Sequence, residues 1–287
     1  MLALGVGAGC GGDDDNDTPA TAKSATTSTT VAEAEPKTIQ VDKTVWWAGF
    51  TIEVQEAGFE ATGGGSEGGT LTVEGLYENR QPDNAVLSQS DVSLEVKGEA
   101  ITPQLADLPS VPPDGTARGS LEFFLEDPFD PAGTVLVFGT PDTNQSRVPL
   151  GEGDAETFEP VELDVTGTVT VSDIKVDLTG GTLEASYEPN KEGTLILRLI
   201  VDMVYQGDSA GGALLGATQF SVATPDGTDA VGQALAADDL VAEAAAPNVP
   251  FEGLGISFEV DEPGTGDYVL TYTADATDES GQIDFTV

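Results

Sequence analysis

Reactive side chains are scarce in this chain. Among 287 residues it has 51 Asp and Glu, a single cysteine and no histidine. Without an imidazole there is no Ser-His-Asp or Cys-His relay, and no zinc site built on histidine. Carboxylates remain. Two of them can hydrolyse a glycoside when they flank one bond, but in so acidic a sequence pairs arise everywhere by chance. Calcium asks for several carboxylates and carbonyls that converge. Glu126-Asp127-Pro128-Phe129-Asp130, Asp226-Gly227-Thr228-Asp229 and Asp261-Glu262 supply such oxygens, without the spaced ligand series of an EF-hand. They read as solvated turns. No metal, cofactor or catalytic residue is expected, and the chain reads as a non-enzyme.

The thiol has a more definite chemistry. Cys10 closes the apolar run Leu2-Ala3-Leu4-Gly5-Val6-Gly7-Ala8-Gly9 and is followed by Gly11-Gly12-Asp13-Asp14-Asp15. Small residues before a cysteine, after an apolar segment, resemble the lipobox of bacterial lipoproteins. The resemblance implies that Cys10 is diacylated and becomes the mature N-terminus. A secretory signal opens on a basic segment, and no Lys or Arg precedes Cys10. Residues 1–10 are therefore expected to be the tail of a signal that starts upstream. Residues 11–38, with the Thr/Ala/Ser tract 22–30 and Glu33-Ala34-Glu35-Pro36, lack apolar periodicity. Such a segment buries too little surface to offset its ordering entropy and serves as a tether. No apolar stretch reaches the roughly 18 residues that a bilayer span needs. Membrane attachment would come from Cys10.

Charge excludes some partners. Against the 51 acids stand 10 bases, a net charge of −41. Residues 39–160 carry −17 and residues 161–287 carry −20, so the acidity belongs to the folded part. A surface this negative repels phosphate backbones, and nucleic acid is not a partner. It equally repels anionic headgroups. With 39% hydrophobic residues there is still enough apolar material for true cores.

From residue 39 the hydrophobic period becomes two. Phe50-Thr51-Ile52-Glu53-Val54, Thr70-Leu71-Thr72-Val73, Val92-Ser93-Leu94-Glu95-Val96 and Thr134-Val135-Leu136-Val137-Phe138 alternate between Gly, Pro, Asp and Asn turns. Many short strands between turn signals predict an all-β sandwich. The second half repeats the pattern. Gly69-Thr70-Leu71 matches Gly193-Thr194-Leu195 at an offset of 124, and Val92-Ser93-Leu94 matches Phe220-Ser221-Val222 at 128. Leu121-Glu122-Phe123 matches Ile256-Ser257-Phe258 at 135, and Thr134-Val135-Leu136 matches Tyr268-Val269-Leu270 at 134. Ordered matches with slowly drifting offsets are the trace of a duplication. The expected fold is two tandem immunoglobulin-like β-sandwiches, residues 39–158 and 159–287. One short helix is expected over the Ala-rich stretch 228–246, started by Asp226-Gly227-Thr228.

Thr44-Val45-Trp46-Trp47-Ala48-Gly49-Phe50, then Gly115-Thr116-Ala117-Arg118-Gly119-Ser120-Leu121-Glu122-Phe123 ahead of Val135-Leu136-Val137-Phe138, carry a family likeness. This layout resembles the immunoglobulin-like domains of Gram-positive lipoproteins and secreted antigens of the mycobacterial type. The acidic, Thr/Ala-rich tether resembles those of actinobacterial lipoproteins. The resemblance implies a fold and offers no catalytic residues.

Trp46 and Trp47 are the only tryptophans. Neighbours in a strand face opposite ways, so one is expected in the core and the other outward. The outward ring would stack on a sugar, seat a partner or cover an inter-domain seam. Arg80, Arg118, Arg147 and Arg198 are expected to neutralise nearby carboxylates. Together these residues describe a non-enzymatic, lipid-anchored binding module on the outer face of the cytoplasmic membrane, with an envelope protein or glycan as partner. A structural or antigen-like surface protein without a dedicated ligand fits the same residues. An envelope-polymer enzyme would need two carboxylates converging in a cleft.

Self-repulsion at −17 and −20 should destabilise both halves at low ionic strength, and salt should relieve it, since the Debye length falls to about 10 Å at 0.1 M. The thermal midpoint is expected to rise with NaCl, with calcium adding little at matched ionic strength. A large calcium-specific rise would overturn the turn reading of the acidic loops.

Overall fold

A computed structural model describes residues 37–62, 68–141, 143–189, 191, 193–209, 211–261, 264–275 and 277–287. Cys10, the signal remnant, residues 11–36 of the tether and Glu262 lie outside the described residues. The described part belongs to one compact unit.

Alternation builds the first half. Strands β1 (Lys37–Trp47), β2 (Phe50–Ala61) and β3 (Gly69–Asn79) form a meander. In β3 Leu71, Val73 and Tyr77 are buried, while Thr70, Thr72, Glu74 and Glu78 lie on the other face. After β3 the chain crosses to β4 (Val92–Val96) and β5 (Glu99–Ile101), then returns as β6 (Leu105–Asp107) and β7 (Thr116–Leu125). It crosses again to β8 (Thr134–Phe138) and β9 (Ser146–Pro149). One sheet has the order β1-β2-β3-β7-β6 and the other β5-β4-β8-β9. Apart from β1, this is the Greek-key arrangement of an immunoglobulin-like sandwich, with β2, β3, β7 and β6 as the A-B-E-D sheet.

The second half runs β10 (Val161–Leu163), β11 (Gly167–Val171), β12 (Ile174–Ala185), β13 (Thr194–Tyr205), β14 (Ala213–Gly216), β15 (Phe220–Ala223), β16 (Asp229–Val231), β17 (Ala242–Ala245), β18 (Pro250–Asp261), β19 (Asp267–Ala274) and β20 (Glu279–Thr286). One sheet is β10-β12-β13-β18 with β11 also on β12, the other β16-β15-β19-β20, and β14 pairs with β17 alone. Among the described residues there is no α-helix, and no helix long and apolar enough to cross a membrane. The fold is all-β and sandwich-like.

Ladder registers reveal how closely the halves correspond. Ile52 pairs with Tyr77 and Val176 with Met203; Val73 pairs with Leu121 and Leu199 with Ile256; Leu94 pairs with Leu136 and Val222 with Leu270. These pairs fix offsets of 124 for β2/β12, 126 for β3/β13, 128 for β4/β15, 135 for β7/β18 and 134 for β8/β19. Both second strands carry a bulge at the equivalent step, Val54/Glu56 and Leu178/Gly180. A 3-10 turn leads into β4 and another into β15. The match of Gly69 to Gly193 is therefore two residues out. A slip of two keeps every side chain on its face, so alternation alone could not detect it.

Each half encloses its own apolar cluster, one around Ile52, Leu94, Phe123 and Phe138, the other around Leu199, Val222, Phe258 and Tyr272. Thr157 still bonds to Trp46 and Ser146 of the first, and Val161 already pairs with Leu183 of the second. At the other end β1 begins at Lys37, two residues before the expected start.

The expected helix over 228–246 is absent. The stretch contains β16 and β17, and residues 232–241 between them lie across the β13/β18 sheet. Its amides are drawn outward: Gly232 N–H donates to the Phe220 carbonyl (2.8 Å), Gln233 N–H to Ser257 (2.9 Å) and Leu240 N–H to Gly255 (2.8 Å). The Asp239 carboxylate accepts from Leu235 and Ala236 N–H. Alanine's advantage over an average residue is a few tenths of a kcal/mol, too little against this set of sheet-directed bonds.

By the shared register Tyr272 stands where the first half has Phe138. Its hydroxyl is buried without a hydrogen-bond partner, and burial first, then Asp275, push it up to about 12. An unsatisfied buried hydroxyl costs about 1–3 kcal/mol. Tyr272→Phe is expected to stabilise the chain by about 1 kcal/mol in urea unfolding; a loss would mean that the hydroxyl is bonded.

Candidate functional site

Both tryptophans are engaged. Trp47 is buried against Phe138, with ring centroids 6.5 Å apart, and its indole N–H donates to the Asn144 carbonyl (2.8 Å). Trp46, on the opposite face, is half-buried. It lines a void of about 10 Å³ with Phe50, Arg80, Pro160, Glu184 and Tyr187, which has room for at most one water. That void lies on the seam between the two sandwiches.

The seam is polar, and beside it Trp47, Phe50 and Gln81 border an open pocket of about 270 Å³ with Tyr187 and Pro189. Arg80, just past β3, donates to Glu184 of β12 (3.0 Å), whose side chain is only 3% exposed. The same carboxylate accepts from Thr182 (2.8 Å) and from the Tyr187 hydroxyl (3.1 Å). Burial, then the Glu184 charge, hold the Tyr187 phenol well above its ordinary range. Ala237 N–H donates to the Arg80 carbonyl (3.1 Å), and the Asn144 side chain donates to the Lys191 carbonyl (2.7 Å). Behind it Arg198 bonds Asp239 (2.7 Å) and Asp238 (2.6 Å), with Asp239 fully buried. Arg147 bonds Glu95, whose carboxyl it holds below the usual range. Arg118 departs from expectation: its partner is the Gln55 amide oxygen (2.8 Å), not a carboxylate.

The open site lies at a corner of the first sandwich. A cleft of about 600 Å³ runs between the β4–β5 hairpin and the turn from β7 to β8, within the usual range for ligand pockets. Val96, Ile101, Phe124, Leu125 and Phe129 supply its apolar wall, and Phe124 is 41% exposed. Phe129 packs on Phe59 (5.8 Å), and the Lys37 ammonium lies 5.7 Å from its ring centre. Four acids, Glu99, Glu126, Asp127 and Asp130, share the lining with one base, Lys97. Lys97 pairs with Asp127 (2.8 Å), and both side chains are largely exposed. The hydrogen bond between them raises the Lys97 pKa and lowers that of Asp127.

Sequence reasoning missed this cleft as a whole and touched its parts. Phe123-Phe124 at a strand end must turn one ring outward, and 126–130 supply oxygens of the kind calcium takes. Among the described residues no three metal-ligating side chains converge. Asp130 caps the turn at Ala132, Asp226 accepts from Thr224 and from Thr228 N–H, and Asp261 accepts from Thr194 (2.7 Å). These carboxylates shape turns and strand ends.

No family model and no curated protein matches the sequence. Among solved structures, the crystal structure of a conserved domain protein from Bacillus anthracis aligns over 87% of this chain and 90% of that one, at 8% identity and a TM-score of 0.29. At that TM-score the likeness carries no argument about fold or function.

Removing Arg80 would leave the Glu184 carboxylate buried and unpaired. Arg80→Ala is expected to cost about 3 kcal/mol and to shift tryptophan emission, since Trp46 and Trp47 both border the Arg80 void. Adding Glu184→Gln should restore most of the loss, because a neutral amide accepts from one of the two hydroxyls and donates its N–H to the oxygen of the other. Failure of that rescue in urea unfolding would remove the ion pair as the cause.

Proposed function

We propose that this chain is a non-enzymatic binding module of the cell envelope, held on the outer face of the cytoplasmic membrane by a diacylated Cys10 and the tether that precedes β1. The corner cleft of the first sandwich carries the reading. It joins an apolar wall to a charged rim on rigid strands, which is what holding a ligand requires. The sequence offers it no imidazole and no second thiol with which to transform one. An envelope protein or glycan is the partner, and the net charge of −41 argues against nucleic acid. The resemblance to immunoglobulin-like domains of Gram-positive lipoproteins and secreted antigens supports the same placement.

Two acyl chains, at about 0.8 kcal/mol per buried CH₂, suffice for stable attachment, whereas one is marginal. Expressed behind a complete lipoprotein signal, the protein is expected in the membrane fraction, with mass spectrometry showing an acylated Cys10 at the mature N-terminus. Cys10→Ser should move it to the medium or leave it unprocessed. Wild type found in the cytoplasm with Met1 intact would sink both the anchor and the envelope function. Immobilised 37–287 should capture an envelope component that Phe124→Ala fails to capture.

A further inference from the structure

The cleft's rim specifies its occupant more narrowly than "a ligand". We infer that it docks an extended peptide segment carrying a basic side chain beside an apolar one. This rests on the binding-module reading and names the partner's chemistry.

Charge points to a cation. Among the described residues Glu99 and Glu126 have no ion pair or side-chain hydrogen bond, and Asp127 is held only by an exposed lysine. Exposed pairs of that kind hold each other weakly, so an incoming ammonium or guanidinium can displace Lys97 at little cost. Phe124, half-exposed, offers its ring to the same cation, whose attraction to an aromatic face adds to the ionic term. Lys37 already sits over Phe129.

Backbone geometry points to a peptide. β5 is the outermost strand of its sheet and pairs only with β4. Lys97 and Gly98 have φ of 52° and 86° and form the two-residue turn that Val96 and Glu99 close. In an antiparallel ladder the next position then turns its N–H and C=O away from the partner strand. That position is Ala100, exposed beside the cleft. An added strand would take both groups, as in β-augmentation. Its alternate side chains would fall against Ile101 and Phe124 and toward Glu99.

The test is an NMR titration of the isotope-labelled chain with a blocked hexapeptide of alternating Val and Arg. The controls are the same peptide with Glu for Arg, and arginine amide alone. Shifts at Ala100, Ile101 and Phe124 with a sub-millimolar Kd, absent with the Glu peptide and much weaker with arginine amide, are expected. Glu99→Gln and Asp130→Asn should each weaken binding about threefold to fivefold, and Phe124→Ala about tenfold. Lys97→Asn should strengthen it about threefold, because Asn-Gly keeps this turn type while Asp127 is freed. Far-UV circular dichroism checks that each variant folds. Equal binding of the Glu peptide would overturn the charge argument, and equal binding of arginine amide the strand pairing. If Phe124-dependent capture from envelope extract succeeds while the Arg peptide leaves Ala100 unmoved, the module stands and this inference falls.

Discussion

Scarcity of positive charge is the constraint on which this structure turns. Ten bases face 51 acids, so few carboxylates can be buried, and each buried one must secure a cation from another element. Asp239 is served by Arg198 of β13 and Glu184 by Arg80 from the other sandwich. The remaining bases of the described residues are engaged too. Lys191 grips Glu259, Lys175 meets Asp177, and Lys43 donates to the carbonyls of Pro149 and Gly151. A deep ion pair gains less than it seems, because both charges lose water, but breaking one leaves an uncompensated charge. These pairs therefore fix where elements sit more than they add stability. Stability comes from the two apolar clusters, since a single cysteine, at position 10, rules out an internal disulfide.

Tandem repetition makes the economy workable. Each cluster is enclosed by a Greek key of the same register, and the seam needs only short polar contacts around Arg80, Glu184, Asn144 and Lys191. The tryptophan pair shows the division of labour within one dipeptide. Trp47 completes the first core beside Phe138, while Trp46 faces the seam.

Strand positions were legible because alternation is a local property, visible wherever one face is buried. Register was not, and the first repeat match slipped by two for that reason. The Ala-rich stretch failed differently. Its fate depends on bonds from its own Asp239 to Ser257 and Arg198, which lie outside the stretch, and those long-range bonds overrode a weak local preference. The cleft was legible only in fragments. Ile101 on one side and Phe124 and Phe129 on the other come from two separate segments, and no spacing along the chain announces that a fold will bring them to one corner.

The two copies use that corner in opposite ways. By the shared register Phe124 corresponds to Glu259, Thr70 to Ile196 and Thr72 to Arg198. In the first copy the outward residue is a half-exposed aromatic beside an open cleft. In the second it is a carboxylate held by Lys191, and Asp238 and Asp239 of the segment 232–241 cover Arg198. That cover also sends Ala237 to the Arg80 carbonyl, so closing the second copy's surface is the same act as building the seam. Lys191 thus joins Glu259 to the seam through its carbonyl, which accepts from Asn144, while Phe124 of the first half borders an open cleft.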